Sequence, residues 1–587
     1  MMSSRRATIP PEDYFFLKRA FGLIFLVLLL ATGCVERRGV AGSGKNSLLD
    51  ATIERFPLSP LTALVRFRTA LPAKVTVTIK GQDGEDLTKG FKHAGTVHDI
   101  PILGLYPNSR NTVILRLESS DGTTESDTLQ IRTTALPRKF RGMKILHRDS
   151  NNLAGGFYFI LLYREFAGSR EEGMLLSVDN YGKIRWAYLG DCGFWAKVLS
   201  TGRLLLPRPT RVSEARRMMR DGVEVFLSSV GWYSTLRSLS PAASSDGPES
   251  TASTQRTFLD KTRDWIIGLS PESWRENNTL AEIDLLGREQ RLWKVDGYMF
   301  HHDCIELPNG NLLALAGTRE SVEDLVIEID KNSNTVVRVI DFKKILDDRR
   351  PPAPPHVSPP DDWLHLNALY LDSKDGSLVV SARNQSAVVK LTPDSLRLRW
   401  ILGNHENWPV ALQRYLLKPI GRDFEWAWGP HAPMQSTAQA NRILLFDNGN
   451  LRGYAAPLRP EENFSRAVEY QLDGTNAGVQ QVWQYGKERG NELYSPVVGS
   501  AVYLPNGNRL ICFGAIAKDL SGNPVEWIQA SKDSAGFENR NVKSSVRIIE
   551  VSGDTPANVY FELSYEDPSR TDYTGYLAYR AYKLGLY

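Results

Sequence analysis

The chain has 587 residues, 42% hydrophobic and 24% charged, which is the balance of a globular protein too long for one ordinary domain. Its formal net charge of +4 comes with no basic run and no aromatic-basic stripe, which argues against a nucleic-acid partner. Its 4 cysteines include no Cys-x-x-Cys pair, and no Gly-x-x-x-x-Gly-Lys-Ser/Thr loop is present, so a disulfide framework, a cysteine zinc site and a nucleotide-phosphate cradle are all disfavoured.

The N-terminus reads as a targeting segment. Lys18 and Arg19 precede one apolar run, Leu23 to Ala31. At about nine residues it is too short to span a bilayer and has the length of a signal-peptide core. Ala31-Thr32-Gly33-Cys34 ends it, and small residues before such a Cys read as a lipoprotein cleavage box. Residues 1–34 are therefore expected to be a lipoprotein signal peptide, with Cys34 the lipidated residue; an ordinary cleaved signal is the alternative. This places the protein in the cell envelope, anchored to the periplasmic or extracytoplasmic face of a bacterial membrane. Residues 35–52, small and polar from Arg37 to Asn46, are expected to be a flexible tether. Cys192, Cys304 and Cys512 are spread over separate segments and read as buried thiols, with one bridge left open.

Residues 53–136 change to short alternating runs such as Lys74-Val75-Thr76-Val77-Thr78-Ile79 and Thr112-Val113-Ile114-Leu115. Period-two alternation of β-branched residues marks half-buried strands, and Gly81-Gln82-Asp83-Gly84 and Ser119-Ser120-Asp121-Gly122 supply turns. Leu105-Tyr106-Pro107-Asn108 has the form of a sandwich corner. An immunoglobulin/fibronectin-like β-sandwich is expected here, and His93 and His98 read as surface or structural.

From residue 137 to 587 a degenerate unit recurs: an acidic hairpin with Gly and Trp, an aromatic or His segment, then a strand with a Gly turn. Val178-Asp179 with Gly182 and Trp186, and Ile283-Asp284 with Gly287 and Trp293, open two such units. Six units and an all-β pattern predict a six-bladed β-propeller, its last unit closing on the segment after Pro137. A large insertion falls at about residues 212–273, with a short helix from Ser213 to Met219. The prolines from Pro351 to Pro360 form a stiff loop leading to Trp363 and His365.

Three of the 9 histidines, His302, His365 and His431, occupy similar places in successive units. A propeller brings equivalent inner strands to one axis, so these three and Arg383 are expected to meet in a donor-rich cationic pocket suited to an oxyanion such as sulfate or phosphate. Trp363, Trp426 and Trp428 could stack on an aromatic substrate or simply pack the core. Three histidines also fit zinc, although Arg383 would repel a dication. A satisfied structural histidine in each repeat is the bland alternative.

The blocks His302-Asp303, Asp362-Trp363 through Lys390, Trp426 to His431, Phe446 to Asn450 and Trp483 to Gly490 together resemble the bacterial aryl-sulfate sulfotransferases, which use phenolic sulfate esters rather than a nucleotide sulfate. The resemblance runs from about Phe56 to Tyr587 and implies the same two-part fold. It implies His431 as the nucleophile that carries the sulfuryl group, with His365, Arg383 and His302 binding its oxygens or handling protons. His301, Trp363, Asn367 and Trp428 are the implied substrate-binding residues, and His302 is preferred to His301 for the site. No cofactor and no metal are implied. The implied partners are a phenolic sulfate donor, a phenol acceptor and the membrane through the anchor; the oligomeric state stays open, a homodimer being one option. Two departures stand out: Gly429-Pro430 where a more polar neighbour of His431 is expected, and a short stretch between His302 and His365. A metal-dependent propeller hydrolase or lactonase, and a non-enzymatic envelope binding propeller, remain as rival functions.

Overall fold

The computed structural model describes Val35–Arg37 and residues 48–587 apart from 83, 167–169, 209–277, 319, 353–361, 454–455, 476, 527–541 and 568–574. The expected signal peptide with Cys34, the insertion at 212–273 and most of the proline loop lie outside the described residues. Almost all described secondary structure is strand. Among the described residues no helix is long and apolar enough to cross a membrane.

The first sheet is built around two long strands, Thr62–Ile79 and Leu87–Leu103. From Thr62 to Arg68 the former pairs with Leu49–Arg55 and the far end of the latter. From Ala73 to Ile79 it pairs with the near end of Leu87–Leu103 on one side and with Arg110–Ser119 on the other. The register breaks between Arg68 and Val75. The alternation seen in the sequence puts Ile53, Val65, Val77, Ile102, Leu115 and Leu129 into one core. The strand Leu49–Arg55 begins before residue 53, and Val35–Arg37 pairs along it, so part of the stretch expected as a tether belongs to the sheet. His98 is buried, stacked on Phe67 and bonded to Thr69, a structural role.

Six further sheets of four or five strands follow among the described residues. Both chain ends interlock with the others: Met143–Arg148, just after Pro137, edges the last sheet, and Leu577–Leu584 is the terminal strand of the sheet holding Phe157–Phe166. Innermost strands of successive sheets lie side by side, Met299–Glu306 on Leu366–Leu371, then His431–Gln435, then Ser500–Tyr503. The arrangement is propeller-like. The recurrent Trp now has a cause: the indole N–H of Trp186, Trp293 and Trp483 donates to Leu285 O, Lys331 O and Asp554 O, each in a turn of the next sheet. Each unit read from the sequence thus spans the outer hairpin of one sheet and the inner strands of the next. Cys192, Cys304 and Cys512 are buried, and no disulfide joins them to one another.

Candidate active site

The inner strands carry a repeated distortion. His302, His365, Ala432 and Val498 all have positive φ, between 48° and 54°, within an inner strand for His302 and Ala432 and just before one for His365 and Val498. Three of these strands slip register there, as at a β-bulge. A left-handed non-glycine residue costs roughly 1–2 kcal/mol, so repeated strain of this kind marks a functional region. His302 and His365 occupy equivalent positions. His431 does not: it sits one residue before the left-handed Ala432, and its ring is aimed by different contacts.

His302 lies against His365, ring centroids 4.8 Å apart, and against Tyr579 at 5.6 Å. Tyr579 also meets His431 edge-on at 6.3 Å, so one phenol ring touches both. It comes from the C-terminal strand and is held by its O–H donating to Asn367 O at 2.7 Å. His301 backs His302, their Nδ1 atoms 2.9 Å apart. Asp303, next in sequence, does not orient His302; its carboxylate binds Lys197 and Arg580.

His431 is 2% exposed, and its Nδ1 lies 2.6 Å from Asn448 Oδ1 and 3.0 Å from Gly429 O. The Asn448 amide is fixed because its Nδ2 donates to Ser495 O and Val498 O, both at 2.7 Å. Two acceptors at Nδ1 require a proton there, which leaves the lone pair on Nε2. Burial, and then the Arg383 charge, hold the His431 pKa well below the ordinary value, so the ring is neutral. Gly429 explains the first departure from the family pattern: its φ is +60°, its N–H bonds Ser386 Oγ and its carbonyl faces His431.

His365 is the opposite case. Its Nδ1 is 2.7 Å from both Asp362 Oδ2 and Glu323 Oε2. Burial opposes its charge, but the two carboxylates outweigh burial and raise the pKa to about 10. It is an imidazolium at neutral pH. Burial and the neighbouring histidines push His302 well below its ordinary value, so it is neutral. Arg383 begins a 3-10 turn after Leu378–Ala382 and is 6% exposed. Its fork donates to the amide oxygens Asn384 Oδ1 (2.9 Å) and Asn450 Oδ1 (3.0 Å).

The other expected residues are placed around these. Asn367 is fully buried, and its Nδ2 donates to Pro430 O at 2.9 Å, beside His431. Trp363 is buried in a core cluster with Leu364 and Trp408, and its indole N–H donates to Arg350 O, so it packs the wall. Trp428 is buried, and its backbone N–H donates to Asp447 Oδ1. Trp426 meets His405 at a tilt and Phe424 edge-on.

Among the described residues, two groups are compact enough to consider for a metal: His301, His302 and Glu323, and Glu323, Asp362 and His365. Both need Glu323. Its ion pair with His365 has a proton on the nitrogen that a metal would require bare. Glu323, Asn448, Asn450 and Tyr579 were missed by sequence reasoning as site residues. Asp362, three residues before His365, carried a local signal; Glu323 carried none.

Fold and site together define an all-β protein with a cluster of histidines and an arginine on its inner strands. A model of the arylsulfotransferase (ASST) family matches residues 229–576, more than half of the chain, and one of the arylsulfotransferase Ig-like domain matches residues 51–134. The chain belongs to the arylsulfotransferase family, whose named members are transferases. It is 24% identical to the arylsulfate sulfotransferase AssT of Escherichia coli O6:H1 over 623 aligned positions, covering 94% of this chain and 98% of that one. It is equally similar, at 24%, to the AssT of Lelliottia amnigena, with the same coverage of 94% and 98%. Among solved structures, a putative 6-phosphogluconolactonase from Bacteroides fragilis is similar at 10% identity and a TM-score of 0.32, covering 87% of this chain and 98% of that one.

Proposed function

We propose that this enzyme is a six-bladed propeller that moves a sulfuryl group from a phenolic sulfate ester to an acceptor phenol through a sulfohistidine on His431. The observation that carries the reading is the divided protonation of the site: a neutral imidazole with a free Nε2 lone pair on His431, beside an imidazolium on His365 and a buried guanidinium on Arg383. The two named relatives and the family match support the same activity. Six sheets in sequence, with both termini interleaved, support the six-bladed reading.

In this scheme Nε2 of His431 attacks sulfur as the S–O(aryl) bond breaks. The departing phenolate takes the proton of His365, leaving a neutral imidazole there. The sulfonated His431 ring keeps its Nδ1 proton and is cationic, steadied by Asn448 Oδ1 and Gly429 O. The acceptor phenol then attacks sulfur, returns its proton to His365 and releases His431. A phenol titrates near 10, close to the value for His365, so the proton moves both ways with little cost. Arg383 and His302 face the sulfuryl oxygens.

Incubation with 4-nitrophenyl sulfate, with and without a phenol, tests the reading: nitrophenol release stimulated by the phenol is expected. No release would leave an envelope binding protein. Release abolished by chelators would favour the hydrolase, which the metal-compatible groups around Glu323 keep in view.

The pH profile follows from the two imidazoles. Activity rises as pH climbs through the depressed pKa of His431, is level across neutrality, and falls as pH rises through about 10, where His365 loses its proton. Asn448→Asp sets a carboxylate against Nδ1 and favours the charged ring. The acid limb of kcat/KM is expected to move up by roughly 1–3 units. An unmoved acid limb would detach Asn448 from control of the nucleophile.

Anchoring through Cys34 belongs to the same proposal and rests on the box behind the apolar run. Cys34→Ser is expected to release a membrane-pelleting protein into the soluble or unprocessed fraction. Pelleting unchanged after high-salt washing would point to another anchor.

A further inference from the structure

Glu323 holds a position that orientation of His365 does not require. A protonated Nδ1 carries one hydrogen, and Asp362 already accepts it at 2.7 Å. Glu323 brings a second carboxylate to 2.7 Å from the same nitrogen, and reaches within 3.9 Å of His302 Nδ1. It does so from a left-handed backbone at φ 54°, pinned where its carbonyl accepts the Leu366 N–H at 3.0 Å. A strained residue supplying a redundant acceptor acts through its charge.

The charges around the pocket can be counted. Arg383 and His365 are cations; Asp362 and Glu323 are anions. A third carboxylate, Glu526, lies one amide further out, bonded to Asn450 Nδ2 and Tyr494 Oη. Lys197 and Arg580 are turned to Asp303. Without Glu323 the inner set would carry one net positive charge; with it the set is neutral. Sulfuryl and phosphoryl esters have the same tetrahedral shape, but the sulfate monoester is a monoanion, whereas the phosphate monoester is a dianion above a second pKa of about 6.

We propose that Glu323 is a charge filter, a specificity-determining residue that admits monoanionic sulfuryl esters and rejects dianionic phosphoryl esters of the same size. This rests on the sulfuryl-transfer reading of the pocket. A half-buried carboxylate set against His365 and near His302 penalises each additional negative charge on a ligand held there, because water screens the interaction only in part. A neutral residue at this position would leave the pocket attractive to both.

The test is calorimetric binding of benzylsulfonate and benzylphosphonate, whose bridging carbon prevents transfer, at about pH 8.5, where the phosphonate is largely dianionic. The wild-type enzyme is expected to prefer the sulfonate by about tenfold or more, and Glu323→Gln to narrow that ratio by roughly tenfold, mainly by gaining phosphonate affinity. Glu323→Asp keeps the charge and is expected to keep the preference. A ratio in Glu323→Gln within about twofold of wild type, with wild-type melting, overturns the filter. If Glu323→Gln melts early, loss of the preference in a well-folded Glu323→Asp overturns it, and retention supports it. Discrimination in an enzyme that turns over no aryl sulfate would support the filter and overturn only the transfer reading; failure to bind either compound would overturn both.

Discussion

His431→Asn is expected to abolish the phenol burst and the covalent adduct together, with a loss of turnover on the order of 10⁶, as for other enzymes deprived of their nucleophile. In the wild-type enzyme, an aryl sulfate without acceptor should release one equivalent of phenol. One sulfuryl mass should remain on the peptide containing His431, acid-labile and discharged by added phenol. The prediction rests on Nε2: with Nδ1 committed to Asn448 and Gly429, the lone pair of a neutral ring is on the far nitrogen. Asparagine has no such nucleophile, although it can fill part of the space. His302→Asn and His365→Asn should slow both burst and adduct without removing them, since neither ring forms the bond in this scheme. An adduct that survives in His431→Asn would move the nucleophile, with His365 the next candidate, yet the proton on its carboxylate-clamped ring argues against that role.

Much of this site was legible from sequence because the fold is a repeat. Equivalent strands bring equivalent residues together, so the recurrence of His302 and His365 in the sequence implies proximity, and their rings do lie 4.8 Å apart. The strand-only pattern likewise revealed the all-β class. Other features were hidden for physical reasons. Glu323 sits in the connection Ser321-Val322-Glu323-Asp324, where a carboxylate looks like ordinary loop polarity; its contact with His365, 42 positions away, is purely tertiary. Asn448 reads as a turn residue in Asp447-Asn448-Gly449-Asn450, and only the two carbonyls at its Nδ2 show which way its amide points. Tyr579 belongs to the last strand, Leu577–Leu584, so chain order separates it from His302, Asn367 and His431. Trp363 could be read as stacking on a substrate or as packing; in the structure its indole N–H donates to Arg350 O and its ring lies in a core cluster. Charge state was the least legible property. Three histidines in similar settings gave no reason to expect neutral rings on His302 and His431 but a cation on His365.

Arg383→Ala is expected to lower kcat/KM for 4-nitrophenyl sulfate by roughly 10²–10³, or about 2.7–4 kcal/mol, while the protein still folds. The argument begins with the company Arg383 keeps. Most buried cations here meet a carboxylate: Arg466 meets Asp447, and Lys583 meets Glu550. Among the described residues, the hydrogen-bond partners of Arg383 are the neutral amide oxygens of Asn384 and Asn450. Amide oxygens orient a guanidinium without cancelling its charge, and they use two of its five N–H donors. A buried fork held in that way retains both charge and hydrogens for an anionic ligand, and those interactions strengthen as charge builds on the sulfuryl and phenolic oxygens. The backbone places it: Arg383 N–H donates to His365 O at 3.2 Å, so the fork and the proton donor move as one unit. Removing the guanidinium also removes a charge that depresses the His431 pKa, and the acid limb should therefore rise. The gain in basicity is small beside the lost contacts. Arg383→Lys should fall between wild type and alanine, because a point charge remains but the planar fork does not. Unchanged turnover in an Arg383→Ala protein that melts normally would put Arg383 outside the reacting group's reach, and the anion-binding role would pass to His302 and His365.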